Sequence, residues 1–330
     1  MIVIKEKEHK GLVLDVSNEG FDAGAATFGS LLYDENRFYL FYTGSSDIKW
    51  SSANIGLAIS SDGLNFKKLD EMNPILDAKE IGYEQAVTPV VFKTKGFYLM
   101  AFSGKPKNGV RRICIAYSED LKGPWRFLKE LIKPQYFWEG NDIDLGPSVV
   151  KQTDDEVLLY YSNVSNKGGL QKTLFGPRYW LRMIGILKLH VRSPNEIEAY
   201  KYERNPLKHL NGSKGAWNES LFCPGYIRLG ERYYLLPATS TYSVGFPYKQ
   251  YIALIEDFSP FFNNPTDKEI LINGPEEKKM ILPKIKSEIA LDTPSPLIKG
   301  DELWLYYAVM DRADGIWKTA LSIFSISQDK

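Results

Sequence analysis

The sequence predicts an all-β fold, a single five-bladed β-propeller over residues 1–330 with four antiparallel strands in each blade. Three observations predict it: a hairpin pattern that recurs five times, an aromatic content of 13%, and almost no apolar spacing of the helical kind. The alternative architecture is a β-sandwich in which the internal similarity is a coincidence.

Each recurring segment contains an acidic residue, a small residue or proline, an apolar strand, a polar turn and an aromatic-rich strand. The segments begin at Asp22, Glu84, Asp142, Glu219 and Asp292. Turns such as KTKG and TDDE separate two apolar runs, as a hairpin requires. Matching positions in successive second strands lie 59 to 76 residues apart, which leaves room for two further strands in each blade.

Third and fourth strands follow the early hairpins. Segments 55–69 and 111–131 share the pattern A-x-S-x-D followed by an aromatic residue, and IGILKLHV, YIALIEDF and TALSIFSIS are later versions of it. The unit that repeats is therefore a four-stranded blade rather than an isolated hairpin.

The composition gives no sign of a nucleic-acid or membrane partner. The 41 basic and 41 acidic side chains give a formal net charge of zero, whereas nucleic-acid binding usually needs a basic surface. No segment approaches the ~18 apolar residues of a membrane helix. The start, MIVIKEKEHKGLVLD, lacks the apolar core of a signal peptide. We therefore expect a cytoplasmic protein, or a secreted one if a leader was removed.

The sequence contains no recognisable metal or cofactor site. Its two cysteines, Cys114 and Cys223, lie in apolar strand-like segments, and we expect both to be buried free thiols. Two cysteines and three scattered histidines make no metal-ligating spacing. We therefore expect no metal and no cofactor.

Propeller geometry gives the recurring acids a common location. The first strand of each blade lies nearest the central axis, and the acids precede that strand. We therefore expect carboxylates from all five blades at one end of a central channel. The cluster EGNDIDLGPSVV at 139–150, with three acids in six residues, is expected to face water there rather than a dry core.

The loops between second and third strands return to the same end of the channel. Paired carboxylates can cleave a glycosidic bond, and aromatic rings can stack on sugar faces. The sequence thus predicts a carbohydrate substrate. The residues expected to bind it are Trp50, Glu84, Asp142, Arg178, Trp180, Tyr242, Asp292, Arg312 and Trp317. Arg178 and Trp180 belong to the longest loop, 163–183, and are expected to overhang the channel and close a pocket for a terminal sugar.

At these residues the sequence resembles the five-bladed propeller glycoside hydrolases of families 43 and 62, the invertase-like families 32 and 68, and the mannoside phosphorylases of family 130. The resemblance covers nearly the whole chain. It is carried by DAGAATFGSLLYDENRFYLFYTG, IGLAISSDGLNF, NPIL at 73–76, and IDLGPSVV. In the family 43 pattern the base comes from the first blade, a modulating Asp from the third and the acid from the fourth. By position, the resemblance implies Asp22, Asp144 and Glu219 as catalytic residues.

Two departures from this pattern leave the catalytic acid open. Asp144 is followed by Leu-Gly-Pro rather than by Pro, and Asp142 competes for its role. Glu219 stands three residues before Phe222, which begins a Phe-Cys-Pro sequence where invertase-like enzymes have Glu-Cys-Pro. If Glu219 is not the acid, Glu84, Asp142 and Asp292 are the next candidates.

Three functions remain open from the sequence: a glycosidase, a glycoside phosphorylase of the family 130 type, and a propeller that binds carbohydrate without catalysis. Cations that could hold phosphate for a phosphorylase are Lys105, Lys107, Arg111, Arg178 and Arg182. The sequence leaves the sugar, the linkage, the stereochemistry and the oligomeric state undetermined.

Overall fold

The computed structural model describes residues 2–164, 181–213, 215–230, 232–240, 250–257, 268–269 and 286–328. These residues form five antiparallel sheets, and the predicted five-bladed β-propeller is confirmed. The sheets are called blades I to V in the order of their inner strands. Among the described residues, no helix is long and apolar enough to cross a membrane.

The strands of each blade follow one another from the propeller axis outward. Blade I contains β2 (Ala25–Asp34), β3 (Arg37–Ser45), β4 (Asn54–Ser60) and β5 (Lys67–Lys68). Blade II contains β6 (Gln85–Thr94), β7 (Phe97–Lys105), β8 (Arg112–Ser118) and β9 (Arg126–Ile132). A short 3-10 helix, Phe137–Glu139, leads to blade III, which contains β10 (Ile143–Lys151), β11 (Glu156–Asn163), β12 (Ile184–Ser193) and β13 (Glu196–Lys201).

Blade IV is preceded by a second 3-10 helix, Lys208–Leu210. It contains β14 (Ser220–Leu229), β15 (Arg232–Ser240), β16 (Gln250–Ile252), β17 (Ile255–Asp257) and β18 (Lys268–Glu269). Both β16 and β17 pair with β15, so the third strand of this blade is interrupted.

Blade V combines the two ends of the described chain. Its strands are β19 (Glu288–Lys299), β20 (Glu302–Asp311), β21 (Trp317–Gln328) and, on the outside, β1 (Ile2–Leu14). The register of β1 on β21 runs from Ile2 opposite Gln328 to Leu14 opposite Thr319. The sequence pattern predicted four strands in this blade but did not identify the N-terminal segment as the fourth.

The second strand of each blade is the most buried. In β3, RFYLFYTGS, every residue after Arg37 is buried, because neighbouring blades cover both faces of the sheet. The outer strand β9 contains only exposed and half-buried residues. The inner strands contact one another around the axis in the order β2, β6, β10, β14, β19 and back to β2, so the cores of the blades join into one ring.

Candidate active site

Each inner strand carries an irregularity at the same place. Five inner-strand residues are equivalent, because they pair with equivalent residues of the second strands, Thr43, Ser103, Ser162, Ala238 and Ala308. These five are Thr27, Val87, Asp144, Phe222 and Asp292. Extra residues follow directly after four of them, whereas in blade III Leu145 still pairs with Tyr161 before the extra residues begin. The extra residues bend the strand. Only blades III and V place an acid at this position.

Hydroxyl groups of the second strands hold the bent segments of neighbouring blades together. The backbone N–H of Thr88 donates to Thr43 Oγ1 at 2.9 Å, that of Leu145 to Ser103 Oγ at 3.2 Å, and that of Cys223 to Ser162 Oγ at 3.4 Å. These bonds satisfy backbone donors that the irregularity removes from the strand ladder. The approach between blades is tight: a Cβ on Gly146 would lie 2.4 Å from the carbonyl oxygen of Pro224.

The bent segments surround a cavity of about 250 Å³ at the end of the propeller axis, here called the central cavity. Residues from all five blades line it. They are Phe28, Trp50, Val87, Thr88, Arg111, Asp144, Val164, Arg182, Cys223, Asp292, Thr293 and Trp317. The lining thus includes two carboxylates, two guanidinium groups, one thiol and three aromatic rings.

Asp144 forms an ion pair with Arg111 of the neighbouring blade II. Its Oδ2 lies 2.7 Å from Nη1 of Arg111, and its Oδ1 accepts a longer hydrogen bond, 3.4 Å, from Thr88 Oγ1. Arg111 is held in turn by Gln85, whose Oε1 accepts from Nη2 at 2.9 Å. With only 6% of Asp144 exposed, the nearby guanidinium compensates a negative charge that burial would otherwise destabilise.

Asp292 has a different environment. Burial raises the pKa of its carboxyl group to about 6, while the charge of Arg182 and hydrogen bonds from Thr293 act in the opposite direction. The Thr293 backbone N–H donates to Oδ1 at 2.7 Å, and Gln250 Nε2 donates to Oδ2 at 3.2 Å. A carboxyl group with this pKa can carry a proton near neutral pH and release it, as a general acid must.

Arg182 and Cys223 also line the central cavity, and Arg182 Nη2 lies 3.8 Å from Cys223 Sγ. The Arg182 guanidinium stacks 3.8 Å from the ring centroid of Phe222, and its Nε donates to the carbonyl oxygen of Asn163 at 2.9 Å. Burial raises the pKa of the Cys223 thiol, so the group stays protonated and is a poor nucleophile. Cys114 is also a buried free thiol, which confirms the prediction for both cysteines.

Aromatic rings form one wall of the central cavity. Phe28 lies between Trp50 and Trp317, with ring centroids 5.5 and 4.9 Å apart. Phe28 and Trp50 both have positive φ angles, 44° and 59°, so the backbone is strained at the places where these rings enter the cavity. Such a wall can pack against the apolar face of a sugar ring.

Asp22 does not line the central cavity but belongs to a buried network that is repeated in blade III. Its Oδ2 lies 2.7 Å from Lys68 Nζ and accepts from Tyr42 Oη at 2.9 Å, and Asn73 Nδ2 donates to the same Tyr42 oxygen at 3.4 Å. In blade III, Glu139 makes the matching contacts. Its Oε1 lies 2.7 Å from Lys201 Nζ and accepts from Tyr161 Oη at 2.8 Å. Asn205 Nδ2 donates to the same Tyr161 oxygen at 3.3 Å.

We call these two sets of residues the carboxylate networks. Phe21 packs on Tyr42 as Trp138 packs on Tyr161, with centroids 5.9 and 5.5 Å apart. The sequence predicts that the acids of 139–150 face water, but Glu139 has no exposed surface and is neutralised by Lys201. Asp22 is only 2% exposed and serves its blade in the same way.

The other predicted site residues divide into three groups. The structure brings Trp50, Asp144, Asp292 and Trp317 together in the central cavity. Arg178, Trp180 and Tyr242 lie outside the described residues. Glu84, Asp142, Glu219 and Arg312 do not line the central cavity.

Local contacts account for three of the residues that lie elsewhere. Glu219 Oε2 accepts from the Gly215 backbone N–H at 3.0 Å, which turns the carboxylate back onto its own loop. Asp142 Oδ1 accepts from the Arg111 backbone N–H at 2.6 Å. Arg312 is exposed, and its Nε donates to the carbonyl oxygen of Lys286 at 3.0 Å.

Several lining residues were not among the predicted substrate-binding residues. Arg111 and Arg182 were considered only as phosphate-binding cations, and Phe28, Thr88, Cys223 and Thr293 were not proposed for the site. The last four of these residues come directly after the equivalent residue of their inner strand. That shared position is the sequence signal that could have identified them. In the described part of the chain, no cluster of three His, Cys, Asp or Glu side chains is arranged to hold a metal ion.

Comparison with known proteins agrees with this architecture. Residues 8–203 match the model of the glycosyl hydrolases family 32 N-terminal domain. A crystal structure of a thermostable family-43 glycoside hydrolase has a TM-score of 0.65 at 14% identity, covering 96% of this chain and 97% of the other, and shares the fold. These matches confirm the resemblance to propeller glycoside hydrolases.

Two curated relatives come from Thermoanaerobacter sp. strain X514. A beta-1,2-mannobiose phosphorylase is 28% identical over 145 residues, which is 38% of this chain and 45% of that protein. A 1,2-beta-oligomannan phosphorylase is 24% identical over 260 residues, which is 62% of this chain and 82% of that protein. The match thus spans less than half of the first relative and most of the second.

Proposed function

The chain belongs to the family of the glycosyl hydrolases family 32 N-terminal domain, and we propose that it hydrolyses the bond to a terminal sugar in the central cavity. Membership of this family places the protein in the glycosidase class of enzymes. In the proposed reaction Asp292 is the general acid and Asp144 is the second carboxylate. The supporting observation is that two acids at equivalent positions of blades III and V have contrasting environments.

The proposed acid step starts with Asp292 protonated. Burial favours the neutral carboxyl, and a proton donated to the glycosidic oxygen leaves a carboxylate that three polar groups can stabilise: the Thr293 N–H, the Thr293 hydroxyl and the Gln250 amide. Burial thus favours the protonated form of Asp292 before the reaction, and these hydrogen bonds stabilise its negative charge afterwards.

The second carboxylate completes the reaction. Asp144 would activate water against the anomeric carbon, and Arg111 would keep the carboxylate fixed in position while charge moves. The anomeric configuration of the first product, measured by NMR, distinguishes this direct attack by water from a route through a covalent glycosyl-enzyme intermediate.

The size of the central cavity supports a small binding site. Its 250 Å³, counted over the described residues, is below the roughly 300–1,000 Å³ of pockets for drug-sized ligands. A single sugar ring against the Phe28, Trp50 and Trp317 wall matches this volume. We therefore propose that the enzyme acts on chain ends.

Phosphorolysis is the second candidate. Arg111 and Arg182 both line the central cavity, and guanidinium groups bind phosphate well. The two curated relatives are named as phosphorylases. In that reaction inorganic phosphate replaces water, and Asp144 is not needed as a base.

The test is product formation from a panel of aryl and disaccharide glycosides, with and without inorganic phosphate. Hydrolysis predicts free sugar at a rate that is independent of phosphate. Phosphorolysis predicts a sugar 1-phosphate that forms only when phosphate is added. If no glycoside of the panel is cleaved under either condition, both proposals fail.

A further inference from the structure

Blade III carries exposed aromatic rings at three positions where blade I has none. Tyr136 is 54% exposed, Phe137 67% and Tyr200 53%. The two carboxylate networks align the blades residue by residue, because Trp138 corresponds to Phe21 and Lys201 to Lys68. Counting from these pairs, the blade I residues that correspond to the three rings are Glu19, Gly20 and Lys67, all exposed.

The carboxylate network of blade I forms without aromatic rings at these three positions. Blade I forms the same ion pair, hydrogen bonds and ring contact with an acid, a glycine and a lysine at those positions. The three aromatic rings of blade III are therefore not required by the local fold. Apolar surface that is grouped and left in water, without a structural need, marks a binding surface.

Two of these rings, Tyr136 and Tyr200, border a groove on the outer edge of the propeller. It has a volume of about 480 Å³ and lies between the end of β9 in blade II and β13 in blade III. Its lining is Glu130, Leu131, Ile132, Lys133, Gln135, Tyr136, Ala199, Tyr200 and Lys201. The central cavity, in contrast, is formed at the inner strands, so the two sites share none of the described residues.

Both tyrosines of this outer groove are fixed in position. The Tyr136 backbone N–H donates to Glu139 Oε2 at 2.9 Å, and the Tyr136 ring centroid lies 5.0 Å from Lys201 Nζ. The Lys201 and Glu139 side chains are 6% and 0% exposed, so Tyr136 rests on a buried ion pair. The Tyr200 hydroxyl donates to Glu198 Oε2 at 2.6 Å. Rings that are already ordered lose little entropy when a ligand packs on them.

We propose that the outer groove is a second carbohydrate-binding site, which holds a neutral oligosaccharide chain away from the central cavity. Tyr136 and Tyr200 pack against the C–H faces of sugar rings. Glu130, Lys133 and Gln135 offer donors and acceptors for hydroxyl groups. The choice of carbohydrate rests on the proposed function, because a chain held at this edge belongs to the kind of polymer whose end the central cavity accepts.

The test measures retardation of the protein in native gels that contain soluble mannan, arabinan or levan. We expect at least one of these polysaccharides to retard the wild-type protein. The double variant Tyr136→Ala/Tyr200→Ala should raise the dissociation constant for that polysaccharide roughly tenfold. Tyr136→Phe, which keeps the ring, should bind like the wild type. The matched blade I variant, Glu19→Ala/Lys67→Ala, should also bind like the wild type.

Cleavage of a small aryl glycoside serves as the independent readout. It should be unchanged in the Tyr136→Ala/Tyr200→Ala variant, whose melting temperature should also match the wild type. If the protein cleaves no glycoside but the tyrosine variant still loses polysaccharide binding, the proposed function is wrong. The outer groove is then still confirmed as a carbohydrate-binding site. If no polysaccharide retards the wild type, or the tyrosine variant is retarded equally, the outer groove is not a carbohydrate site. A change in sedimentation coefficient with unchanged retardation would instead identify a contact between copies of the chain, and would also overturn the proposal.

Discussion

Asp144 and Asp292 occupy the same position of their respective blades, opposite Ser162 and Ala308 on the neighbouring strands. One carboxylate is paired with Arg111, and burial raises the pKa of the other to about 6. The equivalence explains how two side chains that are 148 positions apart in the sequence reach one cavity. The two carboxyl groups nevertheless differ in chemistry, because different side chains surround them at the same backbone position.

Replacing the proposed acid should affect substrates according to their leaving groups. We expect Asp292→Asn to lower kcat/KM roughly 10²–10⁴-fold on alkyl glycosides, because the leaving oxygen no longer receives a proton. Activated dinitrophenyl glycosides should lose little, since their leaving groups need no protonation. Steady-state kinetics on both substrates makes the comparison. Glu219→Gln is the control and should resemble the wild type on both, because Glu219 does not line the central cavity.

Replacing the proposed base should reduce activity on every leaving group. Asp144→Asn removes the carboxylate that activates water, so we expect a roughly 10²–10⁴-fold loss on alkyl and dinitrophenyl glycosides alike. Equal losses on the two substrates would distinguish Asp144 from Asp292. Retention of hydrolysis by Asp144→Asn would exclude Asp144 as the base.

The raised pKa of Asp292 predicts that activity decreases as pH rises, because only the protonated carboxyl group can act as the acid. As pH rises through about 6, the acid loses its proton, and kcat/KM for alkyl glycosides should fall. Asp292→Asn should abolish this decrease. A pH–rate profile between pH 4.5 and 8.5, covering the range around the pKa, is the measurement.

The same group should also contribute to the pH dependence of stability. The folded protein keeps the Asp292 proton up to about pH 6, whereas the unfolded chain releases it near 3.8. The folded state therefore binds more protons between these values, and its stability falls as pH rises through this range, by up to ~3 kcal/mol. Urea titrations at several pH values should show a smaller decrease for Asp292→Asn than for the wild type.

Asp22 should matter for stability more than for catalysis. Asp22→Asn leaves Lys68 largely buried without its counter-charge, which we expect to cost about 3–5 kcal/mol of unfolding free energy. Asp22→Asn/Lys68→Met removes both charges and should recover much of the loss. Chemical denaturation measures both effects. Activity per folded molecule should stay within about twofold of the wild type, and a selective loss of kcat in Asp22→Asn would return this residue to the catalytic site.

The fold could be predicted from sequence because its signals are local. Each hairpin is a run of adjacent residues, and the aromatic-rich second strands repeat within a narrow range of spacings. The outer strand of blade V had no such signal. Its partner β21 lies some 300 residues away in the chain, and only the closed ring shows that the two strands meet.

The site was harder to predict because it depends on register. The recurring acid lies five residues before the equivalent position in blade I, three before it in blade IV, and at the position itself in blade V. A shift of this size moves a side chain from the cavity to a loop or a buried network. Asp22 also matched a catalytic pattern, but its partner Lys68 follows 46 residues later and no local pattern links the two.

The pairing of β1 with β21 has a consequence during synthesis of the protein. At about 5–20 residues per second, β1 leaves the ribosome roughly 15–60 s before β21 exists, and it must remain unpaired during that interval. Closing a loop of this length then costs about 5 kcal/mol of chain entropy, which the pairing has to offset. The sequence KEKEHK within β1 suits this wait, because a strand rich in charge resists pairing with other nascent chains.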